Sequence, residues 1–156
     1  MRSAFHTFRR HYLACALWTA NDGENDEIQL DRYFSTDDIS RDWRQQATRD
    51  CLSFYRDNAA TWRAHGWSDE QAGHDFSLTR NGHGSGFWDR HFRGEYETGE
   101  CPAGRALSDA CKPYGESDLT AWDMTPAALA EHAEDVPLFA EALRDLAARA
   151  TACDAL

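Results

Sequence analysis

A chain of 156 residues, 42% hydrophobic and 12% aromatic, can bury one real core and leaves little room for two, so residues 1–156 are expected to form a single domain. A formal net charge of −11 excludes a generic nucleic-acid binder, which needs a basic stripe to neutralise phosphates. The same charge suits a basic partner, such as the phosphate-binding cleft of a nucleic-acid enzyme, although solubility alone is the plainer explanation.

In chain order, residues 4–19 carry Phe5, Phe8, Tyr12 and Cys15 at spacings of three and four, which favours a helix over a strand despite the continuous run Tyr12–Trp18. Arg9-Arg10 ahead of Tyr12-Leu13 imitates an export signal. The apolar stretch is short, contains Trp18 and lacks a small-residue cleavage site, so it reads as part of the fold. No stretch approaches the ~18 apolar residues that would span a membrane. Cys15, Cys51, Cys101, Cys111 and Cys153 are odd in number and contain no C-x-x-C. That spacing points away from a disulfide framework or a zinc cage and towards reduced thiols in a cytoplasm.

The clearest helix is expected over 37–65. Ser35 or Thr36 can cap it, and Ile39, Trp43, Ala47, Cys51, Phe54, Tyr55, Ala59 and Trp62 share one face. A short helix is expected over 103–112 and a strand over Asp118–Trp122. The remainder is expected to be helical, with Thr125 capping, Pro126 at the first helical position and a break at Pro137.

Between these lies GHDFSLTRNGHGSGFWDRH, residues 73–91. Asn-Gly is the preferred two-residue turn of a tight hairpin, because both central positions need positive φ. With the turn at Asn81-Gly82, Phe76, Leu78 and Phe87 would form a core face, and Arg80 and His83 would reach solvent. Gly84 and Gly86 would bare the other face opposite Ser77 and Thr79, for a closely packed helix, a bulge, or a ligand framed by Trp88. The fold class expected is therefore α+β: an antiparallel sheet of about three strands against three or more helices.

Three chemical readings of this stretch are weak. A phosphate loop would need Gly-Lys-Ser/Thr feeding a helix, and no lysine follows Gly86. A metal site from His74, His83, Asp89 and His91 matches no ligand spacing. A nucleophile at Ser85 or a Cys, paired with His83 and Asp75 or Asp89, would place Ser85 and His83 ~7 Å apart on one strand. The candidate catalytic residues are His83, Asp89 and Asp75; the candidate binding residues are Arg80, Asn81, His83, Trp88, Asp89 and Arg90. Acidity is concentrated elsewhere. Asp22, Glu24, Asp26, Glu27, Asp31, Asp37 and Asp38 fall within 21–38, and Glu116, Asp118, Asp123, Glu131, Glu134 and Asp135 within 116–135. If the two clusters meet, they make one negative surface.

The block HDFSLTRNGHGSGFWDR, with YLACALWTAN before it and ALSDACKPYGESDL after it, resembles a family of small acidic bacteriophage and prophage proteins. Their block runs H-D-F-W-L-T-R-N-G-H-G-x-G-F-W-D, and Ser77 stands where Trp is common. Residues 122–156 lie outside the resemblance. It implies a phage genome and a bacterial host cytoplasm, and assigns no catalytic residue. In that context the leading expectation is an inhibitor rather than an enzyme: an accessory protein that engages a basic host nucleic-acid-handling or defence protein through its negative surface. No cofactor, metal, membrane or direct nucleic-acid contact is expected. The alternative is a small enzyme or nucleotide/phosphate-binding domain, with His83, Arg80, Asp75 and Asp89 around a pocket walled by Trp88. A structural virion protein is a third possibility.

Overall fold

The computed structural model describes residues 2–22, 28–90 and 101–154. Among them run six α-helices: α1 (Arg2–Thr19), α2 (Arg41–Ala64), α3 (Asp69–Arg80), α4 (Pro102–Cys111), α5 (Pro126–His132) and α6 (Pro137–Asp154). Among the described residues, strand pairing is confined to a two-residue antiparallel ladder of β1 (Asn21–Asp22) with β2 (Ile28–Gln29), and an isolated bridge between Ile39 and Met124. The fold is mostly helical, which overturns the expected α+β sheet.

The hairpin expected at Asn81-Gly82 is the main correction. Residues 69–80 form α3 instead. Ser68 caps it, accepting the Gln71 N–H at 3.1 Å, and Asp69 and Glu70 lie in the first turn, where the helix dipole favours carboxylates. Ala72, Gly73, Phe76 and Arg80 are buried at helical spacing. Asn-Gly ends this helix rather than joining two strands. The His83 N–H donates to the Leu78 carbonyl at 3.1 Å and the Gly82 N–H to the Thr79 carbonyl at 3.4 Å, with Gly82 at φ 68°. Those two bonds with a left-handed glycine make a Schellman stop. The other expected strands are absent as well. Phe87–Asp89 and Ala121–Asp123 are single 3-10 turns.

The chain divides into two compact units: residues 1–16 with 45–118, and residues 17–44 with 119–156. In the first, Phe8, Tyr12, Phe54, Trp62, Phe76 and Phe87 are fully buried. Phe54 stacks on Phe76 with centroids 4.1 Å apart, and Phe8 on Trp62 at 5.4 Å. A Cβ at Gly73 would strike the Phe8 carbonyl, so glycine sets how closely α3 approaches α1. In the second, Leu30, Ile39, Leu119, Leu129, Phe139 and Ala142 are buried. Thr125 caps α5 with Pro126 at its first position, and α6 begins at Pro137, as the sequence predicts. Among the described residues, no helix is long and apolar enough to cross a membrane.

Candidate functional site

The site residues proposed from sequence lie on α3 and the segment 81–90, all in the first unit. Arg80 closes the buried stripe of α3 and is 7% exposed. Its Nη1 donates to Tyr12 Oη at 2.9 Å and Asp50 Oδ2 at 3.1 Å. Its Nε donates to the Gly115 carbonyl and its Nη2 to the Tyr114 carbonyl, both at 2.8 Å. The guanidinium also lies over the Phe76 ring, 5.5 Å from its centroid. Four of its five N–H groups are thereby committed, which corrects the expected solvent-facing Arg80. Asn81 is turned inward as well, its Oδ1 accepting the Ser117 N–H at 2.7 Å.

Asp75 is fully buried. Its Oδ1 accepts Gln71 Nε2 at 3.0 Å and Arg90 Nη2 at 3.2 Å, while Oδ2 meets no donor among the described residues. Burial raises its carboxyl from 3.8 to about 6, against the opposing pull of Arg90 and Gln71. Asp89 serves the local backbone: Oδ1 accepts the Gly86 N–H at 3.0 Å and Oδ2 the Ser85 hydroxyl at 2.9 Å. His83 Nε2 stands 3.3 Å from Asp118 Oδ1. Ser85, His83 and Asp75 thus have three separate sets of partners, and no base–nucleophile pair is assembled from them. Burial also raises the Cys15 thiol to about 11 and Cys111 to about 12, which disfavours the thiolate.

The glycines have different tasks. Gly86, at φ 152°, packs against Thr79, where any Cβ would collide with the hydroxyl, and Thr79 Oγ1 accepts the Phe87 N–H at 3.0 Å. The close-packing explanation therefore holds at Gly86, with α3 as the neighbour. A Cβ at Gly84 would meet no atom of the described residues within 4 Å. Trp88 is 57% exposed.

Two features escaped the sequence reading. A charged residue in phase with an apolar stripe, four after Phe76, is the signal that could have marked Arg80 as a core residue. The other is a cavity of about 250 Å³ lined by His11, Ser68, Glu70, Gln71 and His74. The His11 and His74 rings lie 5.5 Å apart, and His11 Nε2 is 3.9 Å from Glu70 Oε1. Burial, His11 and Arg90 all lower the His74 pKa. Among the described residues, no group of three His, Cys, Asp or Glu side chains is placed to hold a metal.

The acidic segments are distributed differently. Glu116 and Asp118 are exposed in the first unit; Asp31 is exposed and Asp123 half-buried in the second. Glu24, Asp26, Glu27 and the Asp22 side chain lie outside the described residues, as does His91. The Ser40 N–H donates to the Asp123 carbonyl and the Thr125 N–H to the Asp38 carbonyl, each at 2.7 Å. With the Ile39–Met124 bridge, these bonds pair the end of one acidic segment with the middle of the other. Asp38 and Asp123 themselves turn to local caps, accepting from Ser35 and from Thr120. By sequence the second unit holds fifteen Asp and Glu against five Arg, and the first twelve against eleven Lys and Arg.

Comparison with protein-family models, curated proteins and solved structures returns no match.

Proposed function

We propose that this chain acts by binding rather than catalysis, presenting the acidic second unit to a basic partner. The observation that carries this reading is the segregation of charge. Nearly all of the net −11 belongs to residues 17–44 and 119–156, whereas the first unit is almost neutral. Charge collected in this way steers association and sets specificity. A supporting observation is that Arg80, Asp75 and Asp89, the polar residues most suited to chemistry, are committed to holding α3 and the segment after it. The resemblance to small acidic phage proteins makes the partner a nucleic-acid-handling or defence protein of a bacterial host, met in its cytoplasm.

The test is capture from bacterial lysate at low and at high salt, with a parallel bait carrying Asp31→Asn, Glu131→Gln and Glu134→Gln. A defined basic protein should be retained at low salt, released at high salt and retained less by the substituted bait. Retention indifferent to both salt and substitution would overturn the reading. Loss of binding on His83→Ala with the acidic residues intact would move the site to the α3 segment.

A further inference from the structure

We propose that His11 and His74 form a two-imidazole seat for a borderline divalent transition cation, Zn²⁺, Ni²⁺ or Cu²⁺, in the cavity between α1 and α3.

The packing of the two helices sets the seat. Gly73 lets α3 approach the Phe8 carbonyl of α1; His11 lies one turn beyond Phe8, and His74 directly follows Gly73. Glu70 precedes His74 by four residues, which puts both on one side of α3. These three side chains line one cavity of about 250 Å³ with Ser68 and Gln71. The His11 and His74 ring centroids are 5.5 Å apart. An ion bonded to an imidazole nitrogen at ~2.1 Å stands ~3.2 Å from that ring's centre, so two imidazoles at a tetrahedral angle have centres ~5.2 Å apart. The two rings already hold about that separation.

Their nitrogens are available. His74 makes no side-chain hydrogen bond among the described residues. His11 Nε2 lies 3.3 Å from Arg10 Nη2, and because arginine only donates, that nitrogen presents a lone pair. Gln71, in contrast, is committed to Asp75.

Imidazole nitrogen suits Zn²⁺, Ni²⁺ and Cu²⁺, whereas Ca²⁺ and Mg²⁺ take oxygen. No third His, Cys, Asp or Glu completes a protein cage among the described residues, so water fills the remaining positions, as in an open site. Glu70 Oε1, 3.9 Å from His11 Nε2, is near enough to accept a hydrogen bond from such a water, and it supplies negative charge. Two arginines oppose the cation. Arg10 must swing away from His11, which its exposure permits, and Arg90 is close enough to repel positive charge at His74. Two protein donors against this opposition make an exchangeable site rather than a structural one.

The test uses the full chain in a buffer that does not chelate metals. In the wild type, substoichiometric Cu²⁺ should broaden the ring-proton NMR signals of His11 and His74 before those of the other five histidines. This readout needs no variant, so it stands whatever a substitution does to the fold. Calorimetric titration with Ni²⁺ should find one saturable site. His11→Asn and His74→Asn should each weaken it roughly tenfold or more, and Glu70→Gln less. His6→Asn, at an exposed position of α1, should leave it unchanged. Ni²⁺ should also raise the denaturant midpoint of the wild type, because an ion held between α1 and α3 binds only the folded chain, and the shift should vanish in His74→Asn. Broadening that begins at another histidine would overturn the seat. So would Ni²⁺ uptake indifferent to either His11→Asn or His74→Asn, or no saturable uptake at all.

Discussion

The two units hold themselves together by different means. In the first, an aromatic core of Phe8, Phe54, Trp62, Phe76 and Phe87 surrounds the end of α3, and basic residues are set against carboxylates: Arg80 with Asp50, Arg90 with Asp75, Arg63 with Asp69. In the second, the core is smaller and more aliphatic, and carboxylates such as Asp31, Glu131, Glu134 and Asp135 stand at the surface. The pair Arg44–Asp37 is 3.8 Å long, with Asp37 almost fully exposed. In the first unit the buried charges are paired, whereas in the second the carboxylates stand mostly at the surface, Asp38 and Asp123 serving as local caps. Substitutions should separate the two roles.

The largest effect is expected at Arg80. Arg80→Met removes the donors to Tyr12, Asp50, Gly115 and Tyr114 and leaves a mostly buried carboxylate without its cation. A loss of about 3–5 kcal/mol in denaturant unfolding is expected. A loss below about 1 kcal/mol would mean that the carbonyls and Asp50 rehydrate easily, and that the first unit does not depend on its charges after all.

Gly73→Ala should follow. The new methyl meets the Phe8 carbonyl oxygen, which is backbone and gives way only if α1 and α3 separate. About 1–3 kcal/mol is the usual cost of such overpacking. Gly84→Ala is the control: its Cβ meets nothing within 4 Å among the described residues, so the change should be small, and equal losses at the two positions would argue against close approach as the cause.

These two positions also show where the sequence was legible. Gly84 and Gly86 look alike in HGSGFW, yet among the described residues only Gly86 lies against a neighbour, Thr79, a difference that only the packing of α3 reveals. The body and end of the helix expected over 37–65, the cap at Thr125-Pro126 and the break at Pro137 were readable because each depends on local chemistry, whereas α2 starts only at Arg41, after Ser40 rather than after Ser35 or Thr36. The hairpin was misread because Phe76, Leu78 and Arg80 alternate at period two, while Ala72, Phe76 and Arg80 repeat at period four. Asn-Gly satisfies both a hairpin turn and a helix stop. Ser68 followed by Asp69-Glu70, a helix start, was the signal that should have decided between them. For the candidate site, the surroundings of Arg80 were not legible. Burial of Arg80 comes with tertiary contacts to Tyr12, Asp50 and Tyr114, which are distant in sequence.

In the second unit Thr125→Ala offers a moderate test. The hydroxyl accepts the Ala128 N–H at 3.4 Å, so its loss leaves one donor of the first turn of α5 without its side-chain cap. A destabilisation of about 1 kcal/mol is expected, reduced if water replaces the hydroxyl at this long distance.

The smallest effect on stability, and the sharpest test of the comparison, should come from Glu131→Gln with Glu134→Gln. Both side chains are exposed, and the second unit has a formal excess of ten negative charges. Removing two of them should change the unfolding free energy by less than about 0.5 kcal/mol, with any change towards greater stability because self-repulsion falls. Added salt should shrink that difference further, since it screens the same repulsion. Binding to the basic partner should weaken in the same variant, and its salt dependence should become shallower. A protein that keeps its stability and loses its partner uses these charges for recognition. If both properties stay unchanged, the acidity of the second unit is solubility alone and the binding reading fails. A loss of several kcal/mol would show instead that these carboxylates are structural, as they are in the first unit, and the distinction between the units would disappear.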